Sequence, residues 1–456
     1  MDHAIIGPCG KGQYTDEGGI KLNRVVDSLC HRAPCDHSKA SLFLQILWLD
    51  RSAMQHVLLL PFLALGHLLP FMSLAKLLAW KAGYMVTLIT TPLNLQTLKS
   101  SPLPPPEEEG RISNLRFASL PFDSAAPRAT PHPNVDNTDS IPLPLRIRHI
   151  KAADTLQPAF ERLVSDICRE DPRLPLCVVS GCSWAAARQF GIFHCFFFTS
   201  NACSICTLHF YADNAGSSSS TDLSRGPRFL QSMVMAAAAT KGAAGRSDPS
   251  SQINLRRLKF LLDKSEGLLI NTVGELEEEA LQEIKRIWKR LKFLPASEEK
   301  RRALSGWINT LKTVLYVSFS TENSLHPRVM MELAQGLEDS GTRFIWIVRP
   351  PSGFNMKEEF RAEWLPEGFE HRMAEKKQGL LIRKWAPQLE ILRHGSTGAY
   401  CGWNSTLESL HHGAPLVGWP IAMDQFLDSK LLEDMDVGVE IAKGSDAEIS
   451  SAEIGR

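Results

Sequence analysis

The sequence predicts an α/β fold built of two doubly wound halves that face each other across a cleft. Three observations carry that expectation. From His56 onward, apolar runs of buried-strand length alternate with segments whose apolar residues recur at helical spacing. The alternation stops at a charged stretch, LPASEEKRRALSG (294–306), and restarts behind it. The 456 residues are enough for about two or three domains with sizeable cores.

Taken in order, residues 1–53 show little periodicity and read as a poorly ordered extension outside the first domain. HVLLLPF is the first buried strand, and from Leu68 on Phe71, Leu74, Leu77 and Leu78 take helical spacing up to Trp80. YMVTLIT (84–90) completes a βαβ unit. LCVVS (176–180) is a further strand, followed by a helix through AAARQFG and by the strand CFFFTSN (195–201). GLLINTV (267–273) and the amphipathic helix ELEEEALQEIKRIWKRL (275–291) close the first half, which spans 54–293. SPLPPPEEEG (101–110) and the Ser-rich NAGSSSSTDLSRG (214–226) read as exposed loops.

The second half, 307–456, opens with the strand TVLYVSF (313–319) and the helix HPRVMMELAQGLEDSG (326–341). RFIWIVRP (343–350) and GLLIRKW (379–385) are strands, and PQLEILRH is a short helix. A brief strand STGAY then leads to a helix from Ser405 to His411. Doubly wound halves bind ligands in crevices at the carboxyl ends of their strands, so the cleft is the expected site.

Composition narrows the function classes. Lys plus Arg (50) balance Asp plus Glu (50), which argues against nucleic acid or an anionic membrane surface as partner. The 10 cysteines are scattered; only Cys203 and Cys206 form a CxxC, inside an apolar stretch where buried thiols are the simpler reading. No zinc site and no secretory signal is legible, and the expected compartment is the cytosol. The apolar stretch 56–80 is interrupted by His56, Gly66, His67, Pro70 and Lys76, so strand, loop and helix are expected there rather than a membrane span.

WAPQLEILRHGSTGAYCGWNSTLESLHHGAPLVGWPIAMDQ (385–425) resembles the signature box of plant family-1 UDP-glycosyltransferases, with W-A-P-Q, C-G-W-N-S-T-x-E, G-x-P and W-P-x-x-x-D-Q in order. HVLLLPFLALGHLLP resembles the family's first strand and loop, and SFSTEN its phosphate turn. The likeness covers roughly residues 54–456. It implies a GT-B architecture of two Rossmann-like domains, a UDP-sugar donor, a small hydroxylated acceptor, and no metal. A monomer is expected. Glucose is the expected sugar, because Gln425 ends the box as in glucose users.

The resemblance also implies roles, and the residue chemistry fits them. Trp385 offers an indole to stack on uracil, with Gln388 and the Ala386 backbone as hydrogen-bonding partners. Asn404 and Ser405 sit where N-caps belong, at a helix start suited to a diphosphate, next to Trp403. Glu408 is placed for the ribose hydroxyls, Asp424 and Gln425 for the sugar, and Thr321 for phosphate. His67, in Gly66-His67-Leu68-Leu69-Pro70, matches the family's general base. Taken singly, each of these has a plain reading as a core aromatic, a cap or a solvated carboxylate; the joint order is what points to a site.

Four departures from the pattern stand beside it. Gly181 follows LCVVS where the family has the aspartate that orients the histidine. Tyr400 runs directly into Cys401, without the box histidine, and His411 and His412 lie a helix away. The chain stops at Arg456, short of the family's last helices. Ser320 also replaces a glycine of the phosphate turn. Two readings therefore stay open: a working transferase, or a degenerate relative that binds UDP-sugar without turnover.

Overall fold

The structure is a computed structural model that describes residues 56–455, apart from 82–83, 101–113, 123–152, 171–175, 182–189, 214–226, 240–248, 275, 289–313, 320–322, 356–357, 384–385, 394–395 and 400. The expected N-terminal extension and the linker 294–306 both lie outside the described residues.

In the first half, β1 (His56–Leu60) leads to α1 (Leu65–Lys76), which a π-helical turn prolongs over Leu77–Lys81. Then follow β2 (Met85–Thr90), α2 (Pro92–Ser100), β3 (Leu115–Ser119), α3 (Gln157–Glu170), β4 (Leu176–Ser180) and β5 (Phe193–Phe198). Helices α4 (Ala202–Asp213), α5 (Arg228–Ala239) and α6 (Pro249–Lys264) precede β6 (Gly267–Ile270) and α7 (Glu278–Ile287). The six strands form one parallel sheet in the order β3-β2-β1-β4-β5-β6. All five residues of β1 are buried, as befits a central strand covered on both faces. Val57 and Leu59 pack on Leu68, Phe71 and Leu74 of α1 and on Leu78 of its π-helical extension, while Leu58 and Leu60 pack on Phe160 and Val164 of α3.

The second half repeats the plan. Its elements are β7 (Val314–Val317), α8 (Pro327–Asp339), β8 (Arg343–Ile347), α9 (Phe369–Glu375), β9 (Gly379–Ile382), α10 (Gln388–Arg393), β10 (Ser396–Ala399) and α11 (Trp403–His411). β11 (Leu416–Gly418), α12 (Gln425–Asp434), β12 (Gly438–Glu440) and α13 (Ser451–Ile454) complete it. The sheet is again parallel, in the order β12-β11-β10-β7-β8-β9. The strand order reverses once in each sheet, between β1 and β4 and between β7 and β10, and such switch points are where this topology opens a crevice. The halves share hydrophobic clusters: in one, Trp403, Leu427 and Leu431 meet Phe196, Ile205, Leu230 and Met233, and in another Leu276 packs on Leu410, Leu416 and Leu432.

Several boundaries differ from the expected ones. α1 starts at Leu65, after extended Ala64, and not at Leu68, where the apolar spacing begins; exposed Gly66 and half-buried His67 add nothing to that spacing, so it does not report the first turn. His67 therefore sits in the first helical turn rather than in a loop. α11 starts at Trp403, with extended Gly402 as its N-cap, so Asn404 and Ser405 are first-turn residues and not caps. β5 begins at Phe193, before the expected Cys195, and ends at Phe198. The helix expected through AAARQFG falls largely outside the described residues, and its last members, Phe190 and Gly191, form a turn. Among the described residues no helix is long and apolar enough to cross a membrane.

Candidate active site

His67 projects from the first turn of α1 at the switch point of the first sheet. Its Nδ1 lies 3.0 Å from the Thr199 hydroxyl, and the Phe62 ring meets it edge-on at 5.2 Å between centroids. Burial strips water from the imidazole and pulls its pKa from 6.5 down to about 4, so the ring is neutral at physiological pH. With Nδ1–H donated to the Thr199 hydroxyl, a neutral ring keeps a lone pair on Nε2 that can accept a proton. The alternative reading of His67 as a helix cap does not hold: the N-cap is Ala64, with no side-chain cap bond.

Pro70, inside α1, cannot donate to the carbonyl of Gly66, four residues back. That carbonyl accepts instead from Asn404 Nδ2 of α11, at 2.9 Å. Asn404 Oδ1 in turn accepts from Asn271 Nδ2 at 3.1 Å, and the same Asn271 nitrogen donates to the Thr199 carbonyl at 3.1 Å. A polar chain thus runs from the residue before His67, through the N-terminal turn of α11 in the second half, back to the residue that bonds His67. Trp403 completes the junction: its indole N–H donates to the Asn271 carbonyl, and its ring is 4 % exposed inside a shared cluster. Its side chain serves as a packing anchor between the halves.

The loop after β5 contributes three successive side chains. Thr199 bonds His67, the Ser200 hydroxyl donates to Asp424, and Asn201 Nδ2 donates to Asp428. Asp424 and Asp428 lie one helical turn apart, where α12 begins. Burial lifts the Asp424 carboxyl to about 6 and raises Asp428 further, helped by Asp424 and by the buried carboxyl of Glu277. Met423, immediately before, has φ of 61° and is exposed, so left-handed backbone sets the direction in which Asp424 enters the interface. Gln425 is buried and its amide oxygen accepts from the backbone of Ile421 at 2.8 Å, holding that same loop.

Beside this interface a second group gathers around Gln388. Its Nε2 donates to Ser405 Oγ at 2.8 Å and to Glu408 Oε2 at 2.6 Å, while its Oε1 accepts from the Tyr316 hydroxyl at 3.1 Å. Gln388, Ser405 and Glu408, separated by up to 20 residues in sequence, are one hydrogen-bonded cluster. Ala386 is buried next to it, packed with Tyr316 and Leu392. Trp385 and Thr321 lie outside the described residues.

Gly181 follows β4, and its N–H donates to the Leu60 carbonyl at 3.0 Å. A Cβ added there would lie 3.1 Å from the Phe62 nitrogen and 3.5 Å from the Phe71 ring, so this corner leaves little room for a side chain. Sequence reasoning did not find Thr199, Ser200, Asn201, Asn271 or Asp428. The signal available was positional: T-S-N and N-T follow apolar strands directly, at the carboxyl ends where the fold binds ligands.

Two parallel doubly wound halves, meeting at their switch points with a histidine on one side and a helix N-terminus on the other, make up a GT-B architecture. The comparisons with known proteins agree. The family model for UDP-glucoronosyl and UDP-glucosyl transferase matches residues 295–453. UDP-glycosyltransferase 92A1 of Arabidopsis thaliana is 32 % identical over 429 residues, covering 87 % of this chain and 86 % of its own. Crocetin glucosyltransferase 3 of Crocus sativus is 33 % identical over 453 residues, covering 89 % and 90 %. Among solved structures, Arabidopsis thaliana UGT89C1 complexed with UDP-L-rhamnose superposes with a TM-score of 0.63 at 26 % identity, over 89 % of each chain. Phytolacca americana UGT2, complexed with UDP-2fluoro-glucose and pterostilbene, shares the fold with a TM-score of 0.65 at 23 % identity, over 88 % of each chain. The chain belongs to the plant family-1 UDP-glycosyltransferases.

Proposed function

We propose that the protein transfers a hexose, with glucose the expected sugar, from a UDP-sugar to a hydroxyl of a small plant metabolite such as a flavonoid or terpenoid, inverting the anomeric carbon. The observation that carries this reading is the bond from Asn404, in the first turn of α11, to the carbonyl beside His67. It brings a base and an anion-binding helix end to one place.

In this reading His67 Nε2 takes the proton of the acceptor hydroxyl as its oxygen attacks the anomeric carbon. The bond from that carbon to the diphosphate breaks, and UDP leaves. The first-turn N–H groups of α11, at Trp403, Asn404 and Ser405, stabilise the charge that develops on the diphosphate. Trp385 stacks on uracil beside Ala386 and Gln388, Glu408 takes the ribose hydroxyls, Thr321 touches phosphate, and Asp424 and Gln425 take the sugar. Residues 54–293 hold the acceptor and 307–456 the donor, joined by a linker at 294–306. The same reading has a cytoplasmic monomer that works without a metal, so a chelator leaves turnover unchanged.

A second reading is favoured by Gly181, where a carboxylate is missing and a Cβ would sit 3.1 Å from backbone. It takes the protein as a relative that binds UDP-sugar and turns nothing over. The deciding experiment incubates purified protein with UDP-glucose and a panel of phenols and terpenoids, with product detection by mass spectrometry. A glycoside formed by the wild type and lost in His67→Ala supports transfer. UDP-glucose binding without any product supports the second reading.

A further inference from the structure

We propose that Thr199 is the positioning residue of His67, taking the place of the orienting carboxylate that the chain lacks. The inference rests on His67 being the base of the proposed transfer. The corner at the end of β4 carries Gly181 and is closed by Phe62 and Phe71. One strand over, at the end of β5, Thr199 puts its hydroxyl 3.0 Å from His67 Nδ1.

The geometry around Thr199 is that of a held group. Its side chain is 7 % exposed, its carbonyl accepts from Asn271 at 3.1 Å, and the two residues after it are bonded to Asp424 and Asp428 of the other half. In this assignment the hydroxyl is the acceptor of Nδ1–H, which is the tautomer that leaves the Nε2 lone pair for the acceptor's proton. That nitrogen receives the acceptor's proton while the new bond to the anomeric carbon forms and UDP departs. Nδ1–H stays with Thr199 throughout. A hydroxyl differs from a carboxylate in two respects: it can donate as well as accept, and it orients the ring without adding negative charge. The burial that lowers the His67 pKa to about 4 is then not offset by an anion. Because Ser200 links the same loop to Asp424, the histidine's orientation is tied to the seating of the second half.

The test uses full-length protein labelled with 15N in its histidine rings, the His67 signals being assigned by their loss in His67→Gln. The wild type is expected to show Nδ1 protonated and Nε2 bare. Thr199→Val, close in shape, should lose that preference and lower kcat roughly 10- to 100-fold with KM for UDP-glucose unchanged. Thr199→Ser should restore both. A wild-type His67 with its proton on Nε2, or a Val variant with tautomer and kcat unchanged, would overturn the proposal. The wild-type spectrum needs no variant to fold. If the wild type turns nothing over, the transferase reading fails while the ring spectra still decide the role of Thr199.

Discussion

Replacing Asn404 by alanine removes both of its bonds across the interface, to the Gly66 carbonyl at 2.9 Å and from Asn271 at 3.1 Å. The cost follows from what each partner is left with. Asn271 Nδ2 keeps its bond to the Thr199 carbonyl, so it is not orphaned. The Gly66 carbonyl cannot turn back to its own helix, because the residue four places on is Pro70, but the contact is exposed and water can replace the amide. Two net hydrogen bonds of about 0.5–1.5 kcal/mol each then give a loss of about 1–3 kcal/mol, with no further penalty for a buried unpaired group. For a chain of this size that is a fall in Tm of about 1–3 °C. The kinetic effect should be larger, because the first turn of α11 is no longer fixed beside His67: kcat/KM for UDP-glucose should drop by about tenfold or more. A cycle with Pro70→Ala sharpens the test. Restoring the helical N–H gives Gly66 a second donor, so Asn404→Ala should cost less in that background, with a coupling of about 0.5–1 kcal/mol. Calorimetric unfolding and steady-state kinetics on the four proteins measure it. Additive effects, or an Asn404→Ala variant indistinguishable from wild type, would refute the reasoning.

Other consequences can be checked separately. Trp403→Phe keeps the buried ring but strands the Asn271 carbonyl, and should cost about 1–3 kcal/mol in urea unfolding. Gly181→Asp should not raise turnover: its Cβ would meet backbone at 3.1 Å, and Thr199 already occupies His67 Nδ1, so a loss of about 1 kcal/mol and no gain in kcat is expected. The folded-state pKa of His67 is depressed, so its contribution to stability is full above 6.5 and is lost as pH falls through about 4. His67→Gln should therefore flatten the acid limb of the stability profile, by at most about 3 kcal/mol between pH 7 and pH 4. Asp424 has the opposite sign: its pKa is raised to about 6, so stability falls as pH climbs from about 4 to 6, and Asp424→Asn should remove that fall in a Tm-versus-pH series.

The strands were legible because a parallel sheet covered on both faces demands continuous apolar runs, and β1, β4 and β8 sit inside the runs that predict them. Helix starts were less so. Apolar spacing reports the buried face, and at α1 that face begins after the first turn has already formed, which hid the helical setting of His67. At α11 a cap-forming pair, Asn404 and Ser405, drew the boundary two residues late, because their side chains bond across the interface and to Gln388 instead of to their own helix. Part of the site was readable as a string: Gln388, Ser405 and Glu408 stand in motif order and do meet. The rest was not, because its meaning lies in pairings distant along the chain. Thr199 meets His67 across 132 residues and Asn404 meets Gly66 across 338, and no local pattern marks either. Cys203 and Cys206 followed the simple reading, both buried on α4 with burial pushing their thiols up.

The central claim is that His67 removes the acceptor's proton at a site completed by the second half. Single-turnover transfer from UDP-glucose, measured with UDP binding by calorimetry for wild type and His67→Gln, tests it most directly. The account predicts a transfer rate at least about 100-fold lower in the variant with UDP affinity unchanged. Equal transfer by both proteins, or UDP binding without transfer by the wild type, would contradict it.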